Sequence, residues 1–150
     1  MDMRSLTPRY HVAPQISPQD LPELVKQGIT TVICNRPDAE VPPSHQALAI
    51  GAAVQAAGLT FHVLELTHQT MTPTNIARQR EIVEAANGPV LAYCASGTRC
   101  SVIWALGQAG LRSTDEILAA TTAAGYALDG MRPTLDALAA ADPQKDPHQG

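Results

Sequence analysis

The chain has 150 residues, a formal net charge of −4, 45% hydrophobic residues and three cysteines. That length fits one domain, which buries roughly 68–70% of its unfolded surface and needs no structural staple. The acidic balance contains no basic cluster, which argues against a nucleic-acid partner, and no apolar run nears the roughly 20 residues that cross a membrane.

In chain order, Tyr10-His11-Val12-Ala13 reads as a short edge strand ended by Pro14. Ser17 caps a helix that has Pro18 at its first position and Gly28 past its end. Ile29 to Cys34 is a β-branched run with the length of a buried parallel strand, broken by Asn35-Arg36-Pro37-Asp38. Ser44 caps a second helix running to about Ala57 and stopped by Gly58, and Thr60 to Leu66 alternates as a strand. Thr72-Pro73 opens a third helix reaching Asn87-Gly88, an apolar strand then ends in Cys94, and a helix runs from Arg99 to Ala109. Ser113-Thr114-Asp115-Glu116 is a capping box opening a further helix, Gly125 and Gly130 bracket a turn, and Pro133 starts a last short helix. Strands alternating with helices predict an α/β fold, a central, mainly parallel sheet flanked by helices on both faces. One domain is expected over residues 1–141 and a disordered tail over 142–150. Cys34, Cys94 and Cys100 are odd in number with no framework spacing, and Met1-Asp2-Met3-Arg4-Ser5 carries no secretory signal, so the cytoplasm is the expected compartment.

The most informative stretch is Val90 to Ser101, where an apolar strand meets a cysteine, a small-residue loop and an arginine. Ala95, Ser96, Gly97 and Thr98 are small enough for backbone N–H groups to turn inward as an anion nest, beside the positive end of the following helix. Arg99 closes the cup with a planar fork that holds two anion oxygens. The same field favours Cys94 as a thiolate. A cysteine ending an apolar strand is ordinarily packing; the conjunction of strand, loop, arginine and apolar helix points to a nucleophile instead. In sheets of this kind ligands bind at the carboxyl ends of the strands, where Cys94, Asn35-Arg36 and Thr67-His68 all emerge. Asn35, Arg36, Asp38 and Glu40 read equally as a pocket wall or as a solvated loop, with Asp38 or Glu40 available to orient Arg99 or Arg36. Cys34 reads as core.

Cys94 to Arg99 resembles the anion loop of cysteine phosphatases and rhodaneses. Together with Val12 to Leu21 and Val32 to Glu40, it resembles the phosphatase-like domain of beta-lactamase-hydrolase-like proteins (DUF442), over about residues 8 to 140. The resemblance implies a dual-specificity-phosphatase-like fold, and a chain found alone or fused to sulfur-metabolism enzymes such as persulfide dioxygenases. Both phosphatase and sulfurtransferase activities are attached to that family, so the resemblance implies the fold more than the chemistry.

Three departures from the phosphatase pattern bear on the chemistry. Four residues separate Cys94 from Arg99, the rhodanese length and one fewer than in tyrosine phosphatases. The loop Thr67 to Asn75, where phosphatases keep a leaving-group acid, holds no Asp or Glu; His68 is either a replacement donor or a surface residue. Tyr93 precedes the nucleophile and Cys100, then Ser101, follow the arginine. Cys100 reads as a second thiol able to accept a persulfide or form a disulfide with Cys94, or as a buried first-turn residue. The expected function is therefore a sulfurtransferase, with Cys94 taking sulfur from thiosulfate or a persulfide and passing it to a thiol such as glutathione. The alternatives are a phosphatase acting on phosphate esters through a Cys94 phosphocysteine, and a non-catalytic anion-sensing module. No metal or organic cofactor is expected, since the His and Cys residues show no ligand spacing. A sulfur-metabolism enzyme is the expected protein partner.

Overall fold

A computed structural model describes residues 1–141, so the tail expected over 142–150 lies outside the described residues. Five strands form one sheet in the order β1-β2-β5-β3-β4. They are β1 (Arg4–Thr7), β2 (Tyr10–Ala13), β3 (Thr31–Cys34), β4 (Thr60–Val63) and β5 (Val90–Tyr93). β2, β5, β3 and β4 run parallel, and only β1 is antiparallel, to β2. Tyr10–Ala13 is therefore not the edge expected of it. β1 takes that place, and its polar Arg4-Ser5-Leu6-Thr7, with a single buried apolar residue, gave no strand signal. Thr7 Oγ1 shapes the turn between the two strands by accepting the N–H groups of Arg9 and Tyr10 at 3.1 and 3.0 Å.

β3 and β5 are buried at every position, which explains why neither alternates between apolar and charged residues. Side chains alternate between two cores. Val90, Ala92, Ile33 and Val12 face α3 (Pro73–Ala85), α4 (Thr98–Gln108), α5 (Thr114–Ala123) and α6 (Arg132–Ala141). Leu91, Tyr93, Val32, Cys34 and Ala13 face α1 (Leu21–Lys26) and α2 (Ala47–Ala56). Cys34 is core, as expected. Cys94 continues the alternation of β5 onto the α4 side, where it sits with Cys100 and Trp104.

Several helix ends follow the sequence reading. The Asp20 carboxylate caps the Ser17 backbone N–H at 2.9 Å, although the first turn is 3₁₀ and α1 proper starts at Leu21. Thr72 accepts the Asn75 N–H at 3.2 Å, and Ser113 accepts that of Glu116 at 3.1 Å. α2 differs. It begins at Ala47 rather than near Ser44, and its first N–H is capped from outside by Asp38 Oδ1 at 2.8 Å. A cap nine residues upstream has no local signature.

Candidate functional site

The four parallel strands deliver their carboxyl ends to one edge of the sheet, and a cavity of about 450 Å³ opens there. Ala95, Ser96, Thr98 and Arg99 line one wall; Glu40, Thr67, His68 and Gln69 line the other. Beneath it Cys94 is fully buried.

The loop after Cys94 turns through Gly97, whose φ of 93° lies in the left-handed region. A side chain there is blocked twice, by the backbone and by the Tyr126 hydroxyl lying against the position a Cβ would take. That hydroxyl donates to the Ser96 carbonyl at 3.1 Å, holding it outward. With the carbonyl fixed, the following N–H points inward: Gly97 N–H donates to Cys94 Sγ at 3.1 Å.

Cys94 ionises at about 5, against about 8.5 for a free thiol. The largest cause is a hydrogen bond from the Cys100 thiol; burial opposes it, and the N–H groups of Cys100, Gly97 and Ser96 add to it. Cys100 is correspondingly pushed well up, first by burial and then by the same Cys94 contact. The two thiols titrate as a pair in which Cys94 ionises first. Ser101, the other candidate that follows the arginine, turns back to its own helix and donates to Gly97 O at 2.8 Å. Cys100 thus holds the position next to the sulfur. Both residues are buried, and the first turn of α4 is what brings Cys100 back under Cys94.

Arg99 is held from two sides. Its Nη1 donates to Glu40 Oε2 and to Leu66 O, both at 2.8 Å, and its Nη2 donates to Glu40 Oε1 at 2.7 Å. Three of the five N–H donors of the guanidinium are engaged. Nε–H and the second Nη2–H, which together form one edge of the fork, have no partner among the described residues. The bidentate pairing lowers Glu40 below the usual carboxylate range, chiefly through the Arg99 hydrogen bonds. Arg36 braces Glu40 from the other side, with Nε 3.3 Å from Oε1, and reaches Gln15 Oε1 at 3.3 Å. Of the two carboxylates considered for orienting Arg99, Glu40 does so. Asp38 instead caps α2 and takes its own N–H bond to Glu65.

Asn35 is fully buried beneath the site and does not line it. Its amide donates to Leu64 O at 2.8 Å and exchanges bonds with the Gln79 amide at 2.9 and 3.0 Å. Ser96 and Thr98 share a hydroxyl contact of 2.9 Å on the exposed rim. His68 is exposed on the far wall of the cavity, beside Thr67 and Gln69.

Gln79 and Tyr126 were not legible as site residues. Tyr126 lies thirty residues from Ser96 and has no local signal. Gln79 has one: a glutamine in the apolar stripe of α3, between Ile76 and Ile82, with its side chain buried. A polar residue in such a stripe requires buried partners.

Comparisons with known proteins identify the family and the fold. Residues 2–111 match the family model described as the phosphatase-like domain of beta-lactamase hydrolase-like protein. A beta-lactamase hydrolase-like protein of Agrobacterium fabrum is 33% identical over 101 residues, covering 67% of this chain but only 23% of its own length. The chain therefore spans about a quarter of that curated relative. A candidate phosphatase of Neisseria meningitidis, solved as a crystal structure, is 34% identical with a TM-score of 0.82, covering 92% of this chain and 99% of that one. TpbA of P. aeruginosa, solved in complex with phosphotyrosine, shares the fold with a TM-score of 0.63 at 14% identity, covering 94% of this chain and 91% of that one. The architecture is that of dual-specificity-like cysteine phosphatases, and by sequence and structure alike the chain belongs to the family of beta-lactamase hydrolase-like phosphatase domains.

Proposed function

We propose that this domain is a cysteine-dependent phosphatase that cleaves phosphate monoesters with good leaving groups, aryl phosphates above all. The observation that carries the reading is the pairing of an ionised Cys94 with a cavity-lining Arg99 that Glu40 and Leu66 hold in place while its Nε–H and second Nη2–H stay without a partner among the described residues. That edge matches two oxygens of a phosphoryl group. In the first step Cys94 Sγ attacks phosphorus in line as the ester P–O bond breaks, and the leaving oxygen departs with the bonding pair. In the second, water attacks the phosphocysteine, the P–S bond breaks, and phosphate leaves with Cys94 restored as thiolate. Arg99 and the loop N–H groups stabilise the charge on the transferring group in both steps.

Glu40 is committed to two arginines and does not serve as leaving-group acid. His68, exposed on the cavity wall, or water stands in for that acid, and no hydrogen bond among the described residues fixes His68 toward a leaving oxygen. An aryloxide leaves without much help, whereas an alkoxide needs a proton. The reading therefore expects rapid turnover of aryl phosphates and slow turnover of alkyl phosphates.

The relatives and the fold favour this phosphatase alternative over the sulfur transfer expected from the four-residue loop, for which the comparisons offer no support. The phosphotyrosine bound by TpbA is an ester of the proposed class. The test measures hydrolysis of an aryl and an alkyl phosphate by wild type and by Cys94→Ser, with intact mass after thiosulfate treatment alongside. Aryl turnover lost in Cys94→Ser supports the proposal. Turnover retained in the variant, or a single sulfur added to Cys94 with no phosphate cleavage, overturns it.

A further inference from the structure

We propose that Gln79, outside the cavity on α3, is a positioning residue that ties together the two halves of the anion site. Its side chain is 2% exposed and makes three bonds, all to buried partners. On one side Nε2 donates to Tyr10 Oη at 3.2 Å, and Tyr10 Oη in turn donates to the Cys100 carbonyl at 2.8 Å. That carbonyl belongs to the first turn of α4, the turn that presents the Cys100 thiol and N–H to Cys94. On the other side the Gln79 amide exchanges two bonds with Asn35. Asn35 donates its side-chain N–H to Leu64 O, and its own carbonyl accepts the Leu66 N–H at 2.8 Å. Leu66 O is the acceptor that fixes Arg99 Nη1.

The relay thus runs from the arginine anchor, through Asn35, Gln79 and Tyr10, to the turn beneath the nucleophile. Every side chain in it is buried and hydrogen-bonded, so each fixes its neighbours with little freedom to re-pair. The two branches are separable. Tyr10 touches only the thiol side, and Asn35 only the arginine side; Gln79 alone touches both.

This inference rests on the proposed phosphatase site for its meaning but not for its test, which needs no turnover. Two readouts are taken: the pH midpoint of Cys94 alkylation by iodoacetamide, and the affinity for inorganic phosphate. The variants are Tyr10→Phe, which keeps the ring stacked on Trp104 at 6.3 Å, and Gln79→Met, which keeps the length and removes the amide. Melting curves establish that each variant is folded. In Tyr10→Phe the alkylation midpoint is expected to rise by about half a unit to one unit, as for the loss of one neutral hydrogen bond, with phosphate affinity nearly unchanged. In Gln79→Met the midpoint is expected to rise and the phosphate affinity to fall by roughly threefold to tenfold in the same protein. A folded Gln79→Met in which either readout stays at its wild-type value overturns the proposal. If Gln79→Met does not fold, Tyr10→Phe decides, and an unmoved midpoint there overturns it. Absence of aryl phosphate hydrolysis in wild type would count against the phosphatase reading alone.

Discussion

Cys100→Ala isolates the group that does most to keep Cys94 ionised. In wild type Cys94 loses its proton at about 5, with the Cys100 thiol as the first cause. A hydrogen bond to a charged atom is worth about 1.5–3 kcal/mol, which corresponds to about one to two pH units. Moving the midpoint to about 6.5 lowers the thiolate fraction at pH 5.5 from about three-quarters to about a tenth. Alkylation of Cys94 at that pH should then slow by roughly eightfold, while the rate above about pH 8 stays near that of wild type. The assay follows iodoacetamide modification across the acid and neutral range by peptide mass spectrometry, so that Cys94 is read apart from Cys34. Cys100→Ser, whose hydroxyl still donates, should keep the midpoint close to wild type. A Cys100→Ala midpoint that stays near 5 refutes the assignment of the thiol as the main support of the nucleophile.

Glu40→Gln removes the carboxylate that fixes the Arg99 fork, and because a small misplacement of a positioning group is costly, kcat/KM on an aryl phosphate should fall on the order of tenfold to a hundredfold. A wild-type value would show that Leu66 O alone suffices to hold Arg99. Gly97→Ala forces a side chain into a left-handed φ and against Tyr126, at a cost of about 1–3 kcal/mol, and should lose hydrolysis together with stability in urea. An active, equally stable variant refutes the double constraint. Cys94 has a folded pKa below its unfolded one, so its ionised form stabilises the fold fully above about pH 8.5 and progressively less as pH falls toward about 5. Between those limits unfolding free energy should rise with pH by at most about 1.4 kcal/mol per unit, and Cys94→Ala should remove that contribution; equal urea midpoints across the window in both proteins would contradict it.

The Cys94 loop was readable from the sequence because the residues that build it are consecutive. An apolar strand, a glycine at the turn and an apolar helix follow one another within Val90 to Gln108. The same holds for the capping pairs Ser17 with Asp20 and Ser113 with Glu116. What escaped depends on partners far apart in the chain. The Asp38 cap of α2, Tyr126 over Gly97 and the Tyr10–Gln79–Asn35 bonds all join segments that have no reason, read separately, to meet. The polar stretch Asn35 to Glu40 shows the limit well. Its place at the functional edge followed from the strand before it, yet its members divide sharply. Glu40 orients Arg99, Arg36 braces Glu40, and Asn35 and Asp38 hold the scaffold. Only three-dimensional geometry separates them, because each is equally plausible as a polar loop residue.

The strand order also has a consequence for how this protein is made. β5 lies between β2 and β3, so the two earliest parallel strands do not touch each other and are joined only when residues 90–93 arrive. During synthesis the N-terminal half therefore leaves the ribosome with the inner edges of its central strands unpaired, and long-range pairing of this kind is slow and exposed to aggregation. The sheet closes with the same few residues that lead into Cys94. A truncated chain ending before Pro89 should thus lack not only Cys94 but the strand that makes one sheet of its surroundings.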